Sequence, residues 1–265
     1  MTEPIKLSSP ATKEFWEIEV LFEDEHLLAL NKPAGLLTSP DRYDPARPNL
    51  MKLLHAGIAA GKPWATRRGI GYLANVHRLD FDTSGVILLA RNKPALVTLA
   101  NVFGSDKPAK TYAALAHGSA VSPTWEVNAA IGPHPVKVGR MRVDPKQGKR
   151  SLTQFEVRES FRGFVLLACR PRTGRTHQIR VHLQHSGNPI CADRLYGGRP
   201  LLLSEIKSDF RLKPGRMERP LISTLALHAE ELVIPHPVTQ AEVRVSAPWP
   251  KDLTVAVRYL RRYAL

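Results

Sequence analysis

The chain has 265 residues, with 38 lysines and arginines against 24 aspartates and glutamates, a formal charge of +14 and a pI near 10.1. A chain of this length buries enough surface to fold without disulfides or a structural metal, as one large domain or two small ones. The charge favours a polyanionic partner such as nucleic acid. The sequence shows neither an apolar signal core nor an apolar run long enough to span a membrane, which argues against secretion and membrane insertion.

The N-terminal part predicts a flexible leader followed by a β-hairpin. Residues 1–15 are polar, contain two prolines and show no period. Apolar residues over 18–22 and 27–30 flank an acidic turn, which is the pattern of a hairpin. Asn31-Lys32-Pro33-Ala34-Gly35 then ends the second strand. Lys32 is either a phosphate contact near a site or a solvated loop lysine.

The next segment predicts two helices with a buried strand between them. Residues 49–60 repeat apolar side chains at helical spacing, and Gly61 is placed to end that helix. Residues 86–90 form an apolar run typical of a buried strand. Asn92 is a predicted N-cap for a helix that runs to Gly104.

The stretch at residues 77–85, His-Arg-Leu-Asp-Phe-Asp-Thr-Ser-Gly, runs directly into that strand. A turn of small polar residues before an apolar strand presents side chains at the strand edge, where ligands can reach them. The Asp80 carboxylate can act as a nucleophile or a base, and Arg78 can engage phosphate. The alternative is that Asp80 or Asp82 caps a turn.

The middle of the chain combines strands with a basic segment. Residues 110–116 predict a strand that places the ring of Tyr112 by packing. Residues 137–150 carry six lysines and arginines and one aspartate among prolines and glycines, which predicts a basic hairpin or loop suited to phosphates. A merely solvated charged face is the alternative. Residues 153–157 and 164–169 predict two more strands.

Residues 170–176 predict an arginine-rich turn into a helix over 177–186. Free backbone N–H groups and guanidinium groups at a helix start favour an anion site. The three histidines at 177, 182 and 185 raise a metal site as an alternative, but no carboxylate or cysteine with ligand spacing joins them.

The C-terminal part predicts strands over 225–234 and 241–246 and a helix over 252–263. Cys169 and Cys191 lack the spacing of a zinc site or a disulfide framework. We therefore expect reduced thiols in a cytoplasmic protein.

The stretch at 77–85 resembles the signature of the RluA-type pseudouridine synthases. Four more stretches fit the same family in order: 23–26 with 31–35, Lys110-Thr111-Tyr112, Arg172 through Arg180, and Leu227-His228-Ala229 with His236-Pro237. One departure is Phe81, since the family often has a basic residue there, and a phosphate contact is expected to be lost.

The resemblance implies an α+β fold: a single catalytic domain over 16–265, with a mixed, mainly antiparallel sheet flanked by helices and long loops. It also implies a flexible leader over 1–15 and no room for the S4-type RNA-binding domain that members often carry. The implied catalytic residues are Asp80, Tyr112, which stacks on the target base or moves its proton, and Arg175, which pairs with the aspartate. The implied contacts for RNA binding and base flipping are Arg78, His77, Lys32, Arg172 and Arg180.

The implied reaction converts a uridine of ribosomal or transfer RNA to pseudouridine, in a cytoplasmic monomer that needs no cofactor and no metal. Two alternatives stay open. One is a glycosidase that uses Asp80 with Asp82, which requires two carboxylates across the scissile bond. The other is an RNA-binding protein that keeps the fold without catalysis.

Overall fold

Short strands make up most of the structured chain. The computed structural model describes residues 3–41, 44–105, 108–120, 122–213 and 215–265. Within these residues it contains fourteen strands and six helices, which confirms the predicted α+β class. The strands are β1 (Ile5–Ser9), β2 (Glu14–Ile18), β3 (Val20–Glu23), β4 (Leu27–Lys32), β5 (Ala74–Asn75), β6 (Ser84–Ala90), β7 (Ala109–His117), β8 (Thr124–Asn128), β9 (Ile131–Pro133), β10 (Met141–Val143), β11 (Leu152–Phe161), β12 (Phe164–Pro171), β13 (Leu227–Pro235) and β14 (Glu242–Ser246). The helices are α1 (Leu50–Ala59), α2 (Pro63–Thr66), α3 (Lys93–Gly104), α4 (Gln178–His185), α5 (Leu203–Ile206) and α6 (Lys251–Tyr263).

The chain divides into two compact units, each described by itself below. The first unit contains residues up to Ala109 together with Ala229–Pro248. The second contains Lys110–His228 and Trp249–Leu265. The single domain predicted over 16–265 stays a prediction.

The first unit is built on strands in the order β3-β4-β6-β13, with β5 also pairing with β6 and β14 with β13. β4 runs antiparallel to both β3 and β6. Every residue of β6 is buried, because the strand is covered on both faces. The apolar run that follows the Asp80 motif is therefore a central strand, as the sequence predicted.

Gly85, the last residue of the Asp80 motif, is required by close packing of two strands. Its φ is +112°, and a Cβ atom there would lie 2.2 Å from the carbonyl oxygen of Ala229 on β13. Residues with a side chain rarely adopt that backbone conformation, and a distance of 2.2 Å is much shorter than a van der Waals contact. Only glycine fits at this position.

The second unit is built on strands in the order β7-β12-β11-β8, and neighbouring strands are antiparallel. One apolar core joins these strands to α4 and to the buried face of α6. β9 and β10 form a separate two-stranded ribbon, of which β10 lies within the basic segment predicted over 137–150 and β9 precedes it. We call residues 131–150 the basic hairpin.

The leader predicted over residues 1–15 is wrong from Ile5 onward, while residues 1–2 lie outside the described part of the chain. β1 pairs antiparallel with β2, and Ile5 and Leu7 are buried while Lys6 is exposed. The alternation covers only two apolar residues, which is too short for a period to stand out in the sequence. No helix among the described residues has both the length and the apolar character needed to cross a bilayer.

Candidate active site

Asp80 lies in a turn that ends where β6 begins. The backbone N–H of Thr83 donates to the carbonyl oxygen of Asp80 at 3.2 Å and closes the turn. Asp80 is half-buried and Arg78 is exposed. We call residues 79–83 the Asp80 turn. The Asp80 carboxylate therefore lies just before the N-terminal end of β6.

The backbone on both sides of Asp80 is held by one segment from earlier in the chain. The Thr38 hydroxyl donates to the carbonyl oxygen of Leu79 at 3.0 Å and accepts from its N–H at 3.2 Å. The N–H of Gly35 donates to the carbonyl oxygen of Phe81 at 2.9 Å. Such fixed neighbours keep a reactive side chain in one position before substrate arrives.

Lys32 belongs to the same support and not to the surface. Its side chain is fully buried, and Nζ donates to the carbonyl oxygens of Pro33 at 2.8 Å, Leu36 at 2.7 Å and Phe81 at 3.4 Å. Burial lowers the pKa of Lys32 to about 7, although the negative charges of Asp80 and Asp82 oppose that shift. Both predictions for Lys32 are wrong, because a buried ammonium is neither solvated nor available to RNA phosphate.

His77 ties the start of the Asp80 motif to the strand that follows it. Its Nε2 accepts from the backbone N–H of Leu88 at 3.1 Å, and its ring stacks on Phe103 with centroids 4.9 Å apart. Nε2 therefore carries no proton in this arrangement. These contacts give His77 a structural task, and its predicted contact with RNA stays a prediction.

Tyr112 and Arg175 belong to the second unit. Tyr112 lies on β7 opposite Cys169 of β12, and its half-buried ring packs against the core of that unit. Packing therefore orients the ring, as predicted. Arg175 is exposed, and its Nε donates to the carbonyl oxygen of Arg150 at 3.2 Å.

The turn that carries Arg175 is organised by the buried side chain of Gln178. Gln178 Oε1 accepts from the Thr173 hydroxyl at 2.7 Å and from the N–H of Arg175 at 3.0 Å. Gln178 Nε2 donates to the carbonyl oxygen of Leu152 and to the hydroxyl of Thr153. We call residues 172–177 the arginine turn. The Gln178 amide group thus links this turn to β11.

His177 ends the arginine turn with a φ of 55°, a backbone conformation that residues other than glycine rarely adopt. Its Nδ1 lies 2.7 Å from the hydroxyl oxygen of Tyr196, a fully buried residue. The same oxygen accepts from the N–H of Met141 on β10 at 2.9 Å. Tyr196 therefore joins the arginine turn to the basic hairpin.

The other two predicted arginines differ in their surroundings. Arg180 is buried and donates from Nε and Nη2 to the Asp193 carboxylate, each at 2.8 Å. The prediction that Arg180 contacts RNA is therefore wrong, because its charge is already paired inside the protein. Arg172 is exposed, and it donates to Gln154 from Nε at 3.1 Å and from Nη2 at 2.8 Å.

The histidines of α4 do not form a ligand set. His182 is buried, with Nδ1 2.9 Å from the Thr153 hydroxyl and Nε2 3.0 Å from the carbonyl oxygen of Ala129. Burial lowers the pKa of His182 below its usual range. Across the described ranges, no group of three or more histidine, cysteine, aspartate or glutamate side chains is placed to hold a metal ion. Both cysteines are buried, and burial raises the pKa of each thiol.

Residues that hold the site from a distance escaped prediction from the sequence. Thr38, Gln178 and Tyr196 act through hydrogen bonds to partners 41, 25 and 55 residues away. No local pattern marks such a pair. Gln178 lies within the stretch from Arg172 to Arg180 that resembles the family, whereas Tyr196 lies in no motif that the sequence identified.

Comparisons with known proteins place these features in a family. A family model described as RNA pseudouridylate synthase matches residues 26–185. Ribosomal large subunit pseudouridine synthase D of Xylella fastidiosa is 40% identical over 250 residues, which cover 92% of this chain and 70% of that protein. The protein of the same name from Xanthomonas campestris is 37% identical over 246 residues, with 92% and 70% covered. The solved structure of human RNA Pseudouridylate Synthase Domain Containing 4 has the same fold, with a TM-score of 0.68, 22% identity, and 91% of this chain and 92% of that chain covered.

Proposed function

The chain belongs to the RNA pseudouridylate synthase family and is an isomerase acting on RNA, and from that premise we propose that it converts uridine to pseudouridine in large-subunit ribosomal RNA. The names of the two bacterial relatives support ribosomal over transfer RNA as the substrate. The observation that carries the proposal is Asp80, whose turn is held at Leu79 by Thr38 and at Phe81 by Gly35. The enzyme acts as a cytoplasmic monomer without a metal or cofactor.

The proposed reaction begins when the target nucleotide leaves the RNA helix. Arg78 is exposed beside the Asp80 turn and fills or opens the vacated space. Asp80 then attacks the sugar or takes a proton from it while the bond between C1′ and N1 breaks. The freed uracil turns and a bond forms between C1′ and C5, while the bond from Asp80 to the sugar breaks or the proton that Asp80 took returns to the sugar. C5 then loses its proton and N1 gains one. Tyr112 stacks on the base or moves its proton, and Arg175 supplies positive charge.

Two alternatives predict different products. A glycosidase using Asp80 and Asp82 would release free uracil and leave an abasic site. An RNA-binding protein without catalysis would leave the RNA unchanged.

The test replaces Asp80 with asparagine, which keeps the size of the side chain but is neither a nucleophile nor a base. With ribosomal RNA tritiated at C5 of uridine, the wild-type protein is expected to release tritium to water without free uracil. Asp80→Asn is expected to lose roughly a thousandfold or more in rate while its RNA affinity stays within about threefold.

Asp82→Asn is the matched control, because it makes the same chemical change two residues away. We expect it to keep most of the activity. Free uracil from the wild-type protein, or Asp80→Asn activity within tenfold of wild type, would contradict the proposal. Mapping pseudouridines in ribosomal RNA from cells with and without the gene would then identify the target uridine.

A further inference from the structure

An arginine stands over the ring of Phe81, the residue that follows Asp80. Arg47 Cζ lies 3.9 Å from the ring centroid. A guanidinium over an aromatic face is attracted by the ring, and more strongly when water is excluded. The sequence predicted that a phosphate contact is lost at position 81, where the family often has a basic residue. Here a cation comes to that position from another segment.

Both partners of this stack are held in place by backbone bonds. The carbonyl oxygen of Phe81 accepts from the N–H of Gly35 and from Lys32 Nζ. Arg47 lies just before α1, and its N–H donates to the carbonyl oxygen of Asp44 at 3.2 Å. In this structure, which holds no RNA, the Arg47 guanidinium already lies over the Phe81 ring, next to Asp80.

The charge of Arg47 is less neutralised by its carboxylate partner than that of Arg68 in the same unit. Its ion pair with Asp41 is 4.0 Å long, and its side chain is 38% exposed. Arg68 pairs with Glu23 at 2.9 Å, and its side chain is only 9% exposed. Exposed guanidinium edges present paired donors that match the geometry of a phosphate group.

We infer that Arg47, oriented by the ring of Phe81, binds a phosphate of the RNA backbone next to the target uridine. A side chain that is ordered in advance avoids the entropic cost of ordering it on binding. The inference rests on the proposed function, since it takes RNA as the substrate and Asp80 as the reacting group. Arg47 would thus be a phosphate-binding residue that lies outside every motif identified in the sequence.

The test measures RNA affinity against salt for Arg47→Gln. Both proteins carry Asp80→Asn to prevent turnover, and the probe is a ribosomal RNA fragment that the wild-type protein modifies. Loss of one phosphate contact is expected to lower the log–log slope by about 0.7 to 0.9 and to weaken binding roughly tenfold. With Asp80 intact, turnover at saturating RNA is expected to stay within about threefold of wild type, because Arg47 binds the backbone and not the reacting atoms.

Arg244→Gln is the matched control, because it removes the same charge from the first unit. Arg244 is held by Glu231 at 2.9 Å and by Glu242 at 3.1 Å, so its loss is expected to leave the slope unchanged. An equal slope for Arg47→Gln and Arg244→Gln would overturn the inference. If wild-type protein releases no tritium from any ribosomal RNA, the proposed function itself fails, which is a separate result.

A second substitution tests the stack. Phe81→Leu keeps an apolar side chain but removes the aromatic face, and it is expected to weaken RNA binding in the same direction. Because the two residues would act as one unit, the double variant should lose less affinity than the sum of the single losses. Additive losses would show that Phe81 does not orient Arg47. Unfolding midpoints of both variants exclude a simple loss of folded protein as the cause.

Discussion

Lys32 shows how one residue can serve the site without touching substrate. Its buried ammonium group bonds carbonyl oxygens on two segments, one of which contains Asp80. Burial is costly for a lysine, and the charges of Asp80 and Asp82 partly offset that cost. An electrostatic partner of the Asp80 carboxylate is therefore inside the protein.

This arrangement predicts a distinct pH dependence of stability. The pKa of Lys32 is 10.5 as an ordinary lysine and about 7 in the folded protein. Between these values the unfolded chain binds more protons than the folded chain, so this term stabilises the fold progressively as the pH rises from about 7 towards 10.5. Lys32→Met lacks this pH-dependent contribution to the free energy of unfolding, because methionine does not titrate. The stability of wild type relative to Lys32→Met is therefore expected to increase over that range, as measured by urea unfolding.

Lys6→Met provides the control, because Lys6 is exposed and only 3.9 Å from Glu17 in a surface pair. Its stability is expected to follow the wild-type pH profile. Parallel profiles for wild type and Lys32→Met would contradict the lowered pKa.

For individual residues, the sequence predicted which side chains could react or bind better than it predicted their burial and their hydrogen-bond partners. Asp80 was found because its motif and the strand after it are local. Lys32 and Arg180 were assigned to RNA through the family resemblance, and both are buried with partners. Burial depends on segments far along the chain, so residue type alone could not reveal it.

At the scale of elements, the hydroxyl group of Tyr196 links the arginine turn to the basic hairpin. Tyr196 bonds His177 on one side and the N–H of Met141 on the other, and His177 has a backbone conformation that costs energy unless its surroundings fix it. The tyrosine therefore acts as a positioning residue for the turn that carries Arg175.

Tyr196→Phe removes only that hydroxyl group. It leaves the N–H of Met141 without its acceptor, so the free energy of unfolding is expected to fall by about 1 to 3 kcal/mol. Turnover is expected to fall more than RNA affinity, because the loosened turn carries Arg175 while the exposed cations remain. Single-turnover tritium release and RNA binding separate the two effects.

Tyr259→Phe makes the same chemical change on α6 and is expected to alter neither quantity. Equal losses of turnover and affinity in Tyr196→Phe would indicate general destabilisation and not a loss of positioning.

Elements were predictable where their signals are local. Asn49 and Asn92 cap their helices by accepting from the N–H groups of Lys52 and Ala95, three residues away, so both helices were predicted closely. β1 was missed because its burial depends on pairing with β2 and on a core that the local pattern does not reveal. The division into two units also arises from packing between distant segments.

For the whole molecule, charge is the property that the sequence predicted most directly. The formal charge is +14, and Lys137, Arg142, Lys146 and Lys149 of the basic hairpin are exposed. Arg142 pairs with Asp144 at 3.0 Å, which leaves the lysines as the better phosphate contacts. RNA affinity is expected to fall steeply with salt because bound phosphates release counterions.

Lys146→Gln and Lys149→Gln are each expected to lower the log–log slope of affinity against salt by about 0.7 to 0.9. Lys6→Gln removes the same charge from a surface pair on β1 and is expected to leave the slope unchanged. A flat salt dependence of the wild-type protein would point to a small-molecule substrate.

The close approach of Gly85 to Ala229 also bears on when the enzyme becomes active during its own synthesis. The strand that follows Asp80 lies against β13, which the ribosome makes long after the Asp80 motif has emerged. Until β13 arrives, β6 has only β4 and the short strand β5 as partners, and Gly85 lacks the strand against which it packs. We therefore expect a nascent chain that carries every residue of the motif to stay inactive until most of the chain has been translated.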